Sequence, residues 1–212
     1  MRRLVALKNW GMRWHNAGIT NMFNQALAFI LQNVTNLFLI ALLLRVYMQW
    51  MRVPFQNPFA QFVMKLTDFI VRPLRRLIPG LFGLDMATLL LALVLQFTLT
   101  LTLYALQGFP LSVAGTGVLL GFLAVALVAL LILACYVLMG LVLVTAVLSI
   151  VNPFSPFMVV FDSLTAPLLR PFRRIVPLVG NVDLSPMIFL LLCQFIVAFP
   201  LAWLDMWARN ML

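Results

Sequence analysis

Four predominantly apolar runs without a charged residue limit what this chain can fold into. They cover residues 22–44, 86–107, 113–151 and 184–204. A helix needs about 20 apolar residues to cross a hydrocarbon layer roughly 30 Å thick, and each run is long enough. Hydrophobic residues make up 65% of the chain and charged residues 9%, which excludes an ordinary soluble domain. The sequence therefore predicts an all-α membrane protein with four transmembrane helices.

The third run is the hardest to divide. It is too long for one perpendicular helix and too short for two spans and a turn. Several glycines lie in it, but no proline interrupts it. We expect one long span, about 118–149, that is tilted or projects from the bilayer. Two half-spans around a re-entrant loop are the alternative.

A basic motif occurs twice in the chain. Residues 72–79 read Arg-Pro-Leu-Arg-Arg-Leu-Ile-Pro, and residues 170–177 read Arg-Pro-Phe-Arg-Arg-Ile-Val-Pro. Such self-similarity indicates a tandem repeat. With two spans in each copy, the two repeats are expected to be parallel across the membrane. Asn57-Pro58-Phe59 matches residues 152–154 at an offset of 95, whereas the motifs are 98 apart, so the copies differ slightly in length.

These features divide the chain into four parts. Residues 1–21 form an N-terminal leader, read either as an in-plane amphipathic anchor or as a weakly structured, possibly non-native extension from an upstream start. Repeat 1 covers 22–107, with spans at about 22–45 and 86–107. Repeat 2 covers 108–204, with spans at about 118–149 and 184–204. Residues 205–212 form a C-terminal tail.

Between the spans of each repeat we expect an interfacial amphipathic segment. In residues 59–72, Gln61, Lys65, Asp68 and Arg72 recur at helical spacing opposite an apolar face, but the segment is too short and too charged to span. In residues 157–170 the internal Pro167 predicts a shorter helix, and the prolines of both Arg motifs predict helix breaks there.

The distribution of basic residues predicts the topology. The two loops that carry the Arg motifs hold nine of the 14 Lys and Arg residues, and four of the other five lie in the leader. By the positive-inside rule these loops are cytoplasmic and both termini lie outside. The formal charge of +9 then reflects topology and anionic lipid headgroups rather than nucleic acid.

The arginines of the motifs are the leading binding candidates. They could serve as a topological and lipid anchor, for which charge suffices, or form a specific docking site for lipid phosphate or a protein partner, for which the guanidinium fork matters. Arg45, at the end of span one, is interpreted as a snorkelling residue. The lipid- or partner-binding candidates are Arg72, Arg75, Arg76, Arg170, Arg173 and Arg174.

Two further pairs are related by the offset of 98. Asp85 and Asp183 each stand just before a span, where an acid acts as helix N-cap. Gln96 and Gln194 lie near the middle of the membrane and could face each other as an intramembrane polar pair. An interhelical hydrogen bond between them is one interpretation, and a polar pore lining is the other.

Residues for catalysis or metal binding are not apparent. The spans hold no interior ionisable residue, and there is no Ser/His/Asp set, Walker loop or dinucleotide loop. Cys135 and Cys193 are not spaced as metal ligands, and His15 is the one histidine. We therefore expect no enzyme, no metal and no cofactor.

The doubled pattern resembles the YggT family of small bacterial membrane proteins, which has plastid relatives. It consists of Asn-Pro-Phe, Thr67 or Thr165, Arg-Pro-x-Arg-Arg-x-x-Pro and an Asp heading the next span, complete in Asp183-Leu184-Ser185-Pro186. The resemblance covers about residues 22–204. Asp85-Met86-Ala87-Thr88 lacks the Ser-Pro, so it does not imply equal roles for the two copies.

The family resemblance implies a function only loosely. Relatives are associated with osmotic or potassium-linked stress tolerance, with cell division, and in plastids with cofactor attachment to a membrane cytochrome and with nucleoid distribution. We expect a non-enzymatic scaffold or assembly factor of the bacterial cytoplasmic (inner) membrane that engages anionic lipid and a membrane-protein partner, or forms a homo-oligomer. A small channel or transport modulator in osmotic stress is the alternative.

Overall fold

The computed structural model describes residues 2–52, 57–76, 85–110, 115–175 and 183–212, with side chains from Asn21 onward except that of Pro156. Within these ranges the chain is helical and contains no strand. The helices are α1 Arg2–Trp50, α2 Pro58–Arg75, α3 Met86–Leu106, α4 Thr116–Val151, α5 Pro156–Ile175, α6 Ser185–Ile196 and, after a π-helical turn at Val197–Leu201, α7 Ala202–Arg209. We call α1 to α3 the N-terminal half and α4 to α7 the C-terminal half.

Four helical stretches are long and apolar enough to cross a bilayer. They are Asn21–Trp50 within α1, Met86–Leu106, Thr116–Val151, and Ser185–Arg209 through the π-helical turn. For the described residues, the prediction of an all-α chain with four helices long and apolar enough to cross a membrane is therefore confirmed. The predicted leader joins α1 without a break in the helix, which starts at Arg2.

Helix α4 is continuous over 36 residues. At about 1.5 Å per residue it is roughly 54 Å long, well beyond a hydrocarbon core of about 30 Å. The alternative of two half-spans is therefore wrong for Thr116–Val151. Residues 111–114 lie outside the described part of the chain.

Helices α2 and α5 continue through prolines that were expected to break them. Helix α2 includes Pro73, and α5 includes Pro167 and Pro171, so that α5 is two residues longer than α2 rather than shorter. A proline removes one hydrogen bond and leaves the carbonyl four residues earlier without its usual donor. In α5 both prolines and Ser163, which carries one such carbonyl, lie on the exposed side. Solvent can satisfy those carbonyls there.

The two halves meet at the end of the bundle where α2 and α5 lie. The Tyr47 hydroxyl donates a 2.6 Å hydrogen bond to the Leu164 carbonyl oxygen. The Phe59 and Phe161 rings approach to 5.0 Å between centroids. These contacts bring the N-terminal parts of α2 and α5 together at one end of the spans, whereas the arginines of the two motifs lie at the C-terminal ends of these helices. The buried residues around them are Tyr47, Met48, Ala60, Val137, Leu141, Phe161 and Leu164.

The opposite end of the bundle is joined by polar and aromatic contacts. Arg209 pairs with Asp205 through Nε and Oδ2 at 2.7 Å, and its Nη1 donates to the Tyr104 hydroxyl at 3.1 Å. The Tyr104 ring packs edge-on against Phe109 and Phe122. The end of α7 is thus attached to the end of α3.

Candidate functional site

A buried arginine in the first span organises the N-terminal half. Only 1% of the Arg45 side chain is exposed. Its Nη1 donates to Thr67 Oγ1 at 2.7 Å and to Asp68 Oδ1 at 2.8 Å, both on α2. Its Nε lies 3.6 Å from Asp85 Oδ2 at the start of α3. The interpretation of Arg45 as a snorkelling residue is therefore wrong, because the guanidinium joins three helices inside the bundle instead of reaching solvent.

Asp85 accepts more hydrogen bonds than the other acid in this cluster, Asp68. Its Oδ2 accepts from Arg75 Nε at 2.8 Å, lies 2.6 Å from Arg75 Nη2, and accepts from Thr88 Oγ1 at 2.6 Å. Its Oδ1 accepts from the Thr88 backbone N–H at 3.3 Å, so Asp85 is the N-cap of α3. Asp68 in turn pairs with Arg72 at 2.8 Å. We call these residues the Arg45 network: Arg45, Thr67, Asp68, Arg72, Arg75, Asp85 and Thr88.

The C-terminal half repeats one part of this arrangement. Arg173 Nε donates to Asp183 Oδ2 at 2.8 Å, the same atoms and distance as for Arg75 and Asp85. Asp162 lies further off, with its Oδ1 3.9 Å from Arg173 Nη2. The C-terminal pair is more open, because 29% of the Asp183 side chain is exposed against 2% for Asp85.

Asp183 lies one residue before the N-cap of α6 rather than at the N-cap itself. The N-cap of α6 is Leu184, whose carbonyl oxygen accepts from the backbone N–H groups of Met187 and Ile188. The prediction that Asp183 is the N-cap is therefore wrong by one residue. Its Oδ1 nevertheless accepts from the Ser185 backbone N–H at 2.9 Å, so the carboxylate still satisfies a free amide of the first turn.

Both aspartates are held in the ionised form. Burial by itself raises the pKa of Asp85, but hydrogen bonds from Arg75 and Thr88 and the charge of Arg75 outweigh it and lower the pKa below the ordinary value of 3.8. Burial likewise opposes ionisation of Asp183, and hydrogen bonding from Ser185 together with the Arg173 guanidinium lowers its pKa. Each Arg–Asp pair therefore stays charged at neutral pH.

The structure divides each arginine pair into two kinds of residue. The first member, Arg75 or Arg173, is committed to the aspartate ten positions later. The second member, Arg76 or Arg174, is exposed, and its side chain makes no hydrogen bond or ion pair with another described residue. Arg170 is exposed in the same way, whereas Arg72 is exposed but paired with Asp68. The motif arginines whose side chains have no partner among the described residues are Arg76, Arg170 and Arg174.

Helices α1 and α4 bury residues at matching positions that are 100 residues apart in the sequence. Ala41, Leu42 and Arg45 are buried in α1, and Leu141, Val142 and Thr145 are buried in α4. Arg45 contacts Thr67 on α2, and Thr145 contacts the matching Thr165 on α5, with Thr165 Oγ1 donating to Thr145 Oγ1 at 3.3 Å. The C-terminal half therefore has a threonine where the N-terminal half has its buried arginine. The Arg motifs are 98 rather than 100 residues apart, so the connection from α1 to α2 is two residues longer than the connection from α4 to α5.

A cavity of about 530 Å³ lies beside Thr145. Its walls come from the end of α4, from α5 and from the start of α6. We call it the Asp183 cavity. Its lining residues are Thr145, Ala146, Ser149, Ile150, Met158, Leu169, Arg173, Asp183, Leu184, Pro186, Met187 and Leu190.

The two glutamines do not form the predicted pair within one chain. Gln96 is buried, and its Oε1 has no hydrogen-bond partner among the described residues. Gln194 is exposed on the outside of the bundle. The interpretation as a pair is therefore wrong, because α6 turns Phe189 and Cys193 inward and leaves Gln194 facing away.

Among the described residues, no group of three or more His, Cys, Asp or Glu side chains is placed to hold a metal ion. Cys135 and Cys193 are free thiols inside the spans. His15 lies outside the residues whose side chains are described.

The chain matches the family model described as CCB3/YggT twice, over residues 24–106 and 124–204. It is 39% identical over 171 residues to a protein of Escherichia coli (strain K12) named "Uncharacterized protein YggT", which covers 80% of this chain and 86% of that protein. It is 36% identical to an "Uncharacterized protein in proC 3'region" of Vibrio alginolyticus, over 80% of this chain and 90% of the relative.

A third similar protein, an "Uncharacterized protein" of Haemophilus influenzae, is 31% identical over 82% of this chain and 91% of its own length. No solved structure matches the chain. The predicted resemblance is confirmed by the two family matches, which between them cover most of the chain. This protein belongs to the CCB3/YggT family.

Proposed function

We propose that this protein is a non-enzymatic scaffold or assembly factor of the bacterial cytoplasmic membrane. On this proposal the two Arg motifs face the cytoplasm, both termini lie outside, and α2 and α5 lie flat at the membrane surface as the interfacial segments of two tandem repeats. The duplicated family match and the common Arg–Asp geometry of the two halves support the repeat.

One observation carries the proposal: each arginine pair holds one committed and one uncommitted guanidinium. Arg75 and Arg173 hold the aspartates that head the next span, so Arg76 and Arg174 are presented at fixed positions. Arg76 and Arg174 lie at the C-terminal ends of α2 and α5, close to the aspartates that precede α3 and α6. Exposed guanidiniums in this position suit anionic lipid headgroups together with an acidic patch of a membrane-protein partner.

Exposed aromatic residues support the interfacial placement. Phe62 and Phe69 on α2 are exposed while Thr67 and Val71 on the other side of the same helix are buried in the bundle. A surface helix with outward phenylalanines and a charged edge is suited to lie at the headgroup and acyl boundary. The same contact would keep the arginines at headgroup level.

The test compares two double variants with equal loss of charge. Arg76→Gln with Arg174→Gln removes the free guanidiniums, and Arg52→Gln with Lys65→Gln removes two exposed charges elsewhere on this loop region. Cross-linking in native membranes should lose a specific partner in the first variant and keep it in the second. Equal retention in both variants would contradict a docking role for the motif.

A channel or transport modulator is the second candidate function. Gln194 faces the outside of the four-span bundle at mid-span, so an oligomer could place several copies of it around a shared pore. Purified protein in liposomes is the appropriate test. Ion flux that is lost with Gln96→Leu plus Gln194→Leu would overturn the scaffold proposal.

A further inference from the structure

The Asp183 cavity lies where the N-terminal half places its buried guanidinium. Arg45 contacts Thr67 and approaches Asp85, and the residues at the matching positions are Thr165 and Asp183. Thr145 takes the place of Arg45 but reaches only as far as Thr165 and the carbonyl oxygens of Leu141 and Phe161. The C-terminal half thus keeps the acid and the threonine of this arrangement but lacks the cation between them.

The charges around the cavity favour a positively charged group. Asp183 lies in the wall and is partly exposed, and Asp162, which does not line the cavity, lies on α5 on the other side of Arg173. Within this set Arg173 is the one cation and it lies between the two acids, at 2.8 Å from Asp183 and 3.9 Å from Asp162. In the N-terminal half, Asp68 and Asp85 are shared among three arginines. An added ammonium group would balance the C-terminal cluster.

The rest of the cavity is apolar and reaches the outside of the bundle. Ala146, Leu169 and Leu190 supply apolar walls, and Ile150 and Met187 are exposed on the outer side of α4 and α6. The cavity lies at the ends of two spans, because α4 ends at Val151 and α6 begins at Ser185. A ligand with a cationic head and hydrocarbon chains could therefore enter from the lipid with its chains still in the bilayer.

We propose that the Asp183 cavity binds the headgroup of an aminophospholipid, with its primary ammonium donating to Asp183 and its phosphate accepting from Arg173. A volume of about 530 Å³ is within the range of pockets that hold small ligands. A primary ammonium offers three N–H donors to a carboxylate, whereas a quaternary ammonium offers none. The site therefore distinguishes phosphatidylethanolamine from phosphatidylcholine. This inference does not depend on which side of the membrane the Arg motifs face.

The first test uses the full chain, delipidated in detergent. Phosphatidylethanolamine, phosphatidylcholine and phosphatidylglycerol with identical acyl chains are titrated, and bound lipid is counted by native mass spectrometry. We expect phosphatidylethanolamine to bind about tenfold or more tightly than phosphatidylcholine, as the loss of charge-assisted hydrogen bonds would cause. Equal binding of these two lipids, or preferential binding of phosphatidylglycerol, would overturn the proposal.

Variants locate the binding to the cavity. Thr145→Arg supplies the cation that Arg45 supplies in the other half, so bound phosphatidylethanolamine should be lost. Ser149→Phe fills the cavity without a charge and should have the same effect if the arginine variant does not fold. Asp205→Asn, at the opposite end of the last span, is the control and should bind as the wild type does. Wild-type binding in both cavity variants would place the lipid elsewhere and refute the assignment.

Discussion

Arg45 Nη1 lies 2.8 Å from Asp68 Oδ1 across 23 residues of sequence, and the arginine side chain is 1% exposed. An ion pair of this kind joins a membrane span to the helix that follows it. Removing one partner of a buried pair leaves the other uncompensated, which is far more costly than the loss of a surface pair. This guanidinium therefore adds a buried polar link between α1 and α2 to the apolar contacts of Leu42 with Val71 and of Phe38 with Phe69.

Arg45→Met should destabilise the protein by about 2 kcal/mol, because Met fills similar apolar volume but removes the buried donor to Thr67 and Asp68, while Asp68 keeps its second partner Arg72. Unfolding of the purified protein in a mild detergent measures the change. Arg76→Met is the matched control, since Arg76 is exposed and unpaired among the described residues, and its effect should stay within about 0.5 kcal/mol. Equal effects of the two substitutions would show that the Arg45 network does not stabilise the bundle.

Lysine substitution should affect stability differently at Arg75 and at Arg76, the two members of the first arginine pair. Arg75 places both Nε and Nη2 within 2.8 Å of Asp85 Oδ2. A lysine ammonium is a single point charge and cannot reproduce this fork. We expect Arg75→Lys to lower stability by about 1 kcal/mol or more and Arg76→Lys to leave it unchanged. The comparison is made by thermal unfolding at one detergent concentration, and a similar loss in both variants would contradict the division of the pair.

The two Arg–Asp pairs predict a loss of stability in acid. The folded pKa values of Asp85 and Asp183 lie below the ordinary 3.8, so the folded chain binds these protons less readily than the unfolded chain. Their contribution to stability is therefore complete well above pH 3.8, and it is lost as the pH falls through the depressed folded values.

Unfolding measurements at a series of pH values from about 7 to about 3 test whether stability falls as the pH falls. The wild type should lose stability steeply below about pH 4, and Asp85→Asn should be less stable at pH 7 but show a flatter acid profile. Asp183→Asn should show a smaller change of both kinds, because Asp183 is more exposed than Asp85. An acid profile for Asp85→Asn as steep as that of the wild type would exclude Asp85 as a source of the effect.

The spans could be predicted from the sequence because uncharged runs of sufficient length report directly on membrane crossing. The Arg45 network could not be predicted in the same way. Helix α1 is apolar on most sides, so its periodicity does not show that Arg45 shares a face with the buried Leu42. The partners Asp68 and Asp85 lie 23 and 40 residues away, and only the packing of α2 and α3 brings them together.

The glutamines show a second reason why sequence symmetry was insufficient. Gln96 and Gln194 are related by the offset of the motifs, yet α3 buries the first and α6 exposes the second. The rotation of a span about its own axis is set by the neighbours that it packs against. Helix α6 packs on α4 and α5 through Phe189 and Cys193, so the glutamine next to the cysteine faces outward.

The contact between the two halves offers the last prediction. The Tyr47 hydroxyl, on α1, donates to the Leu164 carbonyl on α5 at 2.6 Å, and both residues are buried. Tyr47→Phe removes only the hydroxyl and leaves the ring against Trp50. Loss of a buried hydrogen bond should cost about 1 kcal/mol, since no water reaches the abandoned carbonyl.

Thermal unfolding measures this cost, and limited proteolysis of α5 shows whether the halves separate locally. Tyr136→Phe is the control, because Tyr136 is an exposed span tyrosine whose hydroxyl makes no hydrogen bond with another described residue. A stability of Tyr47→Phe equal to that of Tyr136→Phe would mean that the halves are held by apolar packing alone, through residues such as Phe161 and Leu164. The expected difference instead makes the Tyr47 hydroxyl a specific link that fixes α5 against the first span.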